Sequence, residues 1–374
     1  MAAECGEEDP SSHDHDDRQE EPWEERTLNL LEDSKIDQEF SEAKARKKGG
    51  KKHKLKWMKR PMAVPQVILE FLDVELRENA IRALGNFLLE RWKENPDDYH
   101  RAGFLLFHSC STMSILLQEV LEFLGRMNDN NLNVRAVKRL ANVLTLFQSV
   151  AANKETRRKF MDSCIPNFLI PIILFKTAIE VFENIRAIAL SVIGIMCQGK
   201  EPEIIVWAIE NDIIEVCHTI IKTGNELSKV ISMHILEYIL RDPFGIYVIC
   251  HPNFRTLEGL METWNQMVTL LANDPDFSPR LFFHILRCFV LLCAHSRGIL
   301  VVSNCLPAEI AGSAFYDIAE EFPVIRSLLC QLLLNVGLIP DKCVQFLTQS
   351  CTEVVDNSLR ERCANNELCS FLFV

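Results

Sequence analysis

The sequence predicts an all-α chain built as a stack of helical units. Three observations carry that prediction. Glycine is scarce, 14 of 374 residues, whereas β-sandwiches, barrels and propellers draw on it for their tight turns. Apolar residues recur at helical spacing from about residue 65 onward, with no block of period-two alternation. Corners also recur, each a helix end, a short polar turn and a new apolar run, at Thr112, Ile165, Ile213, Phe254 and Leu306. Their separations of 53, 48, 41 and 52 residues sit at or just above the ~40–47 of armadillo and HEAT units. Units of that size bury their apolar faces only against neighbours. The expected architecture is an armadillo-repeat, right-handed superhelical solenoid of about six repeats.

Residues 1–62 read as a disordered extension in two parts. Residues 1–42 hold 16 Asp/Glu against 3 Lys/Arg, and residues 43–60 hold 10 Lys/Arg and no acid. Such segments bury too little apolar surface to offset the entropy of ordering, although Leu28, Leu30, Leu31, Ile36 and Phe40 give 27–40 a weak apolar spacing. The repeat domain is expected over 63–335. It opens on Val67, Ile68, Phe71 and Leu72 and continues through Ala80, Ile81, Leu84, Phe87, Leu88 and Trp92. Breaks follow at Asn95-Pro96, Asn128–Asn131, Asn153–Glu155, Gly199–Pro202, Thr223–Asn225, Asp242-Pro243, Asn273–Pro279 and Ser296–Gly298. Each interval holds one or two helices. Residues 336–374 are expected to form a helical or flexible tail.

The formal charge of −12 hides the split extension, and 61–374 retains 27 basic against 36 acidic side chains. A body of that sign has no overall attraction for phosphate. The 14 cysteines are dispersed without a CxxC pair, which suits buried free thiols in a reduced chain of the cytoplasm and nucleus. The acidic N-terminus reads as no signal peptide, and no apolar run is long enough to span a membrane.

No GxGxxG or Walker A loop is present. His108-Ser109, Cys217-His218, Cys250-His251 and His295-Ser296 are neighbours without a nucleophile elbow. His13 and His15 lie among Asp14, Asp16 and Asp17 without preorganisation for a metal. Neither catalysis, cofactor nor metal is expected. The lysine run, with Lys47, Lys48, Lys51, Lys52 and Lys54, reads as a nuclear-targeting peptide or a nucleic-acid-binding arm, with Trp57 able to stack on a base. Its bland alternative is neutralisation by the acidic segment beside it.

Several strings, taken in order, carry a family resemblance. They are Arg77-Glu78-Asn79-Ala80, Leu106-Phe107-His108-Ser109 leading to Leu116-Leu117-Gln118-Glu119, and Glu155-Thr156-Arg157 before Ile165-Pro166. Ser191-Val192-Ile193-Gly194, Gly224-Asn225-Glu226-Leu227-Ser228-Lys229, and Arg287-Cys288 before Asn304-Cys305-Leu306-Pro307 complete the set. Over roughly 65–335 the chain resembles the Rcd (required for cell differentiation) or Caf-type armadillo family, subunit nine of the Ccr–Not messenger-RNA deadenylase complex. Phe107 stands where that family has Trp, and Asn253 where it has Tyr, so the chain reads as a diverged paralogue.

The resemblance implies a non-catalytic adaptor. It would dock on the Not scaffold subunit and recruit tryptophan-containing or helical peptides of RNA-binding or silencing proteins for mRNA deadenylation, decay and transcription regulation. It also implies walls of tryptophan pockets at Leu227, Val230, Asn253, Arg255 and Arg297, where Arg beside an apolar wall suits an indole. Two other functions stay open. An importin-like peptide receptor also carries a basic arm, but of its Trp and Asn array only Trp207 and Asn211 are present. A nucleic-acid-binding armadillo protein would use the arm, or a groove of Arg135, Lys138, Arg139, Arg157, Arg158, Lys159 and Arg186. Single-stranded nucleic acid and a second copy of the chain are the further partners considered, and a membrane is not.

Overall fold

The computed structural model describes residues 62–338, apart from 130, 178–179 and 275–277. Lys47, Lys48, Lys51, Lys52, Lys54, His13, His15 and the expected tail beyond 338 lie outside the described residues. The described residues are all-helical, without a strand, and form an armadillo-type stack.

The helices fall into three-helix units. A partial first unit holds α1 (Val64–Leu69), a 3-10 turn (Glu70–Leu72) and α2 (Val74–Glu94). Unit two holds α3 (Pro96–His108), α4 (Thr112–Asn128) and α5 (Val134–Ala152). Unit three holds α6 (Arg157–Asp162), a 3-10 turn (Ile165–Leu169) running into α7 (Ile170–Leu174), and α8 (Glu180–Gln198). Unit four holds α9 (Pro202–Glu210), α10 (Ile213–Thr223) and α11 (Glu226–Arg241). Unit five holds α12 (Pro243–Ile249), α13 (Thr256–Ala272) and α14 (Pro279–Leu292). The last holds α15 (Ser296–Cys305), α16 (Ala308–Ala311), α17 (Tyr316–Glu321) and α18 (Pro323–Asn335).

Like helices stack on like. The third helices form a ladder α2–α5–α8–α11–α14–α18, and second and first helices pack on their counterparts outside it. Burial follows this order. Helix α11, in mid-ladder, buries 13 of its 16 residues, which a helix does only when enclosed on all sides. Ser228 and Ser232, fully buried one turn apart on α11, add little bulk where helices close in. Among the described residues no single helix is long and apolar enough to cross a membrane.

The corners read from the sequence are real, with a backbone cause. Ser111, Cys164 and Asp212 each adopt the left-handed conformation (φ 61°, 57° and 55°) directly before the second helix of a unit. That reverses the chain in one or two residues, in a region L-residues enter singly and at some cost. At the other two corners the helix starts later than the sequence suggests, at Thr256 rather than Phe254 and at Ala308 rather than Leu306.

A second repeated device joins the third helix to the next first helix at three of the five junctions. Asn153 Oδ1 accepts from the amides of Glu155 and Thr156, Asp242 Oδ1 from those of Phe244 and Gly245, and His295 Nδ1 from that of Arg297. Three residues past each cap stand Thr156, Gly245 and Gly298. The Thr156 hydroxyl donates to the Val150 carbonyl at 2.7 Å. The two glycines lie so close to the equivalent carbonyls that a Cβ would sit 2.0 Å from the Ile239 oxygen and 2.1 Å from the Leu292 oxygen. The first helix can lie tightly on the ladder only if this position is small or donates a hydrogen bond.

Gly245→Ala should therefore destabilise the chain by about 2–4 kcal/mol, because the obstructing atom is backbone and cannot step aside. Gly125→Ala, where a Cβ meets nothing within 4 Å, should stabilise it by about 0.5–1 kcal/mol through helix propensity. Urea unfolding of the two variants beside the parent measures both, and equal effects would refute the close-approach account.

Candidate peptide-binding surface

The corner between α12 and α13 collects the most exposed aromatic side chains of the described structure. Its backbone is set by the Asp242 cap at one end and a tight turn at the other, where His251 donates to Val248 and Phe254 to His251. The His251 ring nitrogen Nδ1 also accepts from the Asn253 amide at 3.3 Å. Gly245 and Ile249 face inward, so Phe244, Tyr247 and Phe254 face outward, 46%, 53% and 54% exposed. His251 bridges the row, its ring centroid 5.5 Å from that of Tyr247 and 5.4 Å from that of Phe254. A run of exposed rings on an ordered corner marks an interaction surface.

Arg297 locks this corner to the next unit. Its Nη1 donates to the Cys250 carbonyl at 2.9 Å, and Nη2 pairs with Glu258. A cation at the C-terminal end of α12 satisfies an orphan carbonyl and complements the helix dipole. Asn253 and Arg255 lie exposed in the corner, and Arg255 has no ion pair among the described residues. Leu227 and Val230 sit in the first turns of α11, 7% and 2% exposed, so they are core residues that offer at most an edge. The structure thus brings Asn253, Arg255 and Arg297 to one corner. Sequence reasoning misses Phe244 and Tyr247, weighs His251 only beside Cys250 for catalysis, and takes Phe254 only as a corner, although their 3, 4, 3 spacing opposite Gly245 and Ile249 is there to find.

Behind the corner lies a buried charge cluster on the ladder. Glu237, fully buried on α11, receives His284 Nδ1 at 2.9 Å and Arg287 Nη2 at 2.7 Å, both from α14, and also pairs with Arg241. Burial alone would raise its pKa, but the hydrogen bond from His284 and the fields of His284, His234 and Arg287 outweigh it and hold the carboxylate below its ordinary value. His234, Glu237 and His284 offer ligand atoms within 4.8 Å of one another. Two guanidinium groups already occupy that carboxylate, so the set is organised as an ion-pair cluster tying α11 to α14 rather than as a cation site.

The residues weighed for catalysis are held in local structure. Ser109 donates to the Leu105 carbonyl, His218 Nε2 meets the Thr263 hydroxyl at 2.9 Å, and His251 and His295 accept backbone amides. Burial pushes the Cys250 thiol up to about 11 and the Cys217 thiol higher still, the wrong direction for a nucleophile.

The cations of the supposed groove are mostly engaged. Arg135 and Arg139 pair with Glu78, and Arg139 also with Glu119. Arg157 donates to the carbonyls of Ala151 and Ala152 and pairs with Glu201. Arg186 donates to those of Ile173 and Phe175 and pairs with Glu183, and Arg158 pairs with Glu203. Lys138 and Lys159 are exposed. Trp207 lies on α9 and Asn211 caps its C-terminal end, off the ladder, and they bond through Asn167: Trp207 Nε1 donates to it at 3.1 Å, and Asn167 donates to Asn211 at 2.6 Å.

Comparison with known proteins gives a consistent set of matches. The cell differentiation family, Rcd1-like, matches residues 67–336. Cell differentiation protein rcd1 of Schizosaccharomyces pombe is 28% identical over 277 residues, 74% of this chain and 94% of that protein. Protein CAF40 of Saccharomyces cerevisiae is 29% identical over 263 residues, 70% of this chain and 67% of that protein. Among solved structures, an engineered protein superposes with a TM-score of 0.53 at 10% identity, over 74% of this chain and 97% of its own, a likeness of fold alone.

Two outcomes follow from the corner and its cluster. A carboxylate with a depressed folded pKa contributes stability that is present above its unfolded pKa of about 4.3 and is lost as pH falls through the folded value. Glu237→Gln should therefore cost about 3 kcal/mol at pH 7, since it leaves the partly buried guanidinium groups of Arg241 and Arg287 uncompensated. It should also flatten the acid limb of stability against pH below about 5, and an unchanged limb would dismiss the cluster as a pH-linked tie. Arg297→Ala should cost about 1 kcal/mol, the worth of a half-exposed charged hydrogen bond, seen as a lowered urea midpoint.

Proposed function

The chain belongs to the Rcd1-like cell differentiation family, and from that membership we propose that it is a non-catalytic adaptor of the Ccr–Not deadenylase assembly. The observation that carries this reading is the extent of the family match. Residues 67–336 run from the first described unit to the end of the ladder, so the whole stack, not one motif, is shared. On this reading the solenoid docks on the Not scaffold, and the α12–α13 corner receives a peptide of an RNA-binding or silencing protein.

The corner suits that role physically. Phe244, Tyr247 and Phe254 supply apolar area without needing reorganisation, and Arg255 supplies an uncommitted cation beside them. A peptide carrying an aromatic residue flanked by acids fits this surface. With Asn253 in place of a Tyr, the ring row is the stronger anchor than a pocket around Asn253. The groove arginines favour the nucleic-acid alternative less, since most already face a carboxylate or a helix end. Action in both cytoplasm and nucleus is part of the proposal, with the lysine run as its nuclear signal.

Affinity capture of the full-length chain from cell lysate should recover the Not scaffold along with deadenylase subunits. Failure to recover them under gentle salt would sink the adaptor reading. The double variant Phe254→Ala, Arg255→Glu should keep the scaffold but weaken capture of peptide-bearing RNA-binding proteins by about tenfold, as expected when an aromatic and a charged anchor are removed together. Loss of the scaffold as well would place its docking at this corner instead.

A further inference from the structure

The first unit is incomplete. Each later unit begins with a first helix that covers its second, but α1 and the turn Glu70–Leu72 have none before them among the described residues. The consequence shows on the surface: Leu69, Leu72, Val74 and Leu76 are all exposed, between 45% and 72%. An open solenoid end of this kind ordinarily carries a polar cap. Around the apolar patch stand Glu70, Asp73 and Glu75, none with a cationic partner among the described residues.

The register of the repeat says which residues belong there. In the complete units the turn from first to second helix takes two to six residues, 109–111, 163–164, 211–212, 250–255 and 306–307. Counting back from Val64 through a turn of that length, the chain position that a first helix takes in the later units falls on residues ending at Arg60. Residues 51–60 carry six cations and no carboxylate, with Leu55, Trp57 and Met58 among them. Apolar side chains thus match the exposed patch, and cations match its unpaired acids. Attachment three residues away makes the effective concentration high, on the order of millimolar or more.

We propose that residues 51–60 dock on the open end of the first unit, Leu55, Trp57 and Met58 against Leu69, Leu72, Val74 and Leu76, with the lysines facing Glu70, Asp73 and Glu75. Lys51, Lys52 and Lys54 are also among the lysines read as a nuclear-targeting or phosphate-binding arm. Docking therefore withholds part of that charge from other partners, and release exposes it. The repeat end and the basic arm become one device.

Peptide-resolved hydrogen exchange on the full-length chain tests this. The amides of 51–60 should exchange at least about tenfold more slowly than an unstructured chain. Trp57→Asp with Met58→Asp should abolish that protection and speed exchange over 64–76, leaving α11 unchanged. Glu70→Lys with Glu75→Lys, which spares the Asp73 cap, should also abolish protection of 51–60. Unstructured exchange rates in 51–60 would overturn the proposal, as would protection that survives both double variants. Protection that rises with protein concentration alongside a doubled mass would assign the patch to a second copy. Protection lost on neutralising the acids of 1–42 but kept in the Glu70 and Glu75 variant would assign the lysines to the acidic segment.

Discussion

Each unit of this chain can bury its apolar face only against the unit before and the unit after it, and the third-helix ladder is where that burial is concentrated. Helix α11 shows the limit of the constraint: enclosed by α8, α10, α12 and α14, it can admit a polar group only if that group brings its partners with it. Glu237 meets the condition through His284 and Arg287 of the next unit and Arg241 of its own. A hydrophobic substitute would fill the same space, but a charged set accepts only one pairing of α11 with α14. Where the burial is complete, polarity can serve register rather than stability.

The arginines follow from the same geometry. Helices that end against a neighbouring unit leave C-terminal carbonyls pointing at it, and each needs a donor. Arg157, Arg186 and Arg297 supply it for α5, α7 and α12 respectively, each reaching across with a guanidinium and pairing a carboxylate with what remains. A cation so used is part of the fold before it is available to any ligand. That is why a basic stripe in the sequence does not become a basic groove in space, and why Arg255, the corner arginine without an ion pair among the described residues, is the one left for a partner.

Much of the fold was legible because the corners punctuate it. Thr112, Ile165 and Ile213 start their helices where the sequence places them, since Ser111, Cys164 and Asp212 leave no slack. Phe254 and Leu306 fall two residues early because a proline-bearing turn still occupies those positions, and the sequence marks the turn without its length. The candidate site was legible in part. Asn253, Arg255 and Arg297 do meet at one corner, whereas Leu227 and Val230 are apolar residues of an enclosed helix, whose burial no local pattern on α11 distinguishes from an exposed wall. The aromatic row escapes a periodicity search because its helix has seven residues, too few for such a search to weigh.

The short first helices explain why the surface features gather where they do. A seven-residue helix such as α12 contributes little propensity of its own, so its position rests on the Asp242 cap, the Gly245 contact and the Arg297 clasp. Fixed in that way at both ends, it can spend its outward face on rings that contribute nothing to the core. The mid-ladder helix α11 has no such freedom, because nearly every face is claimed by a neighbour. In the first unit the logic runs the other way: α2 keeps its place in the ladder, but the helix that should cover α1 is missing from the described residues, and exposed leucines are the result. Recognition surfaces in this molecule are thus the places where stacking is already satisfied, at α12, or has not yet been, at α1.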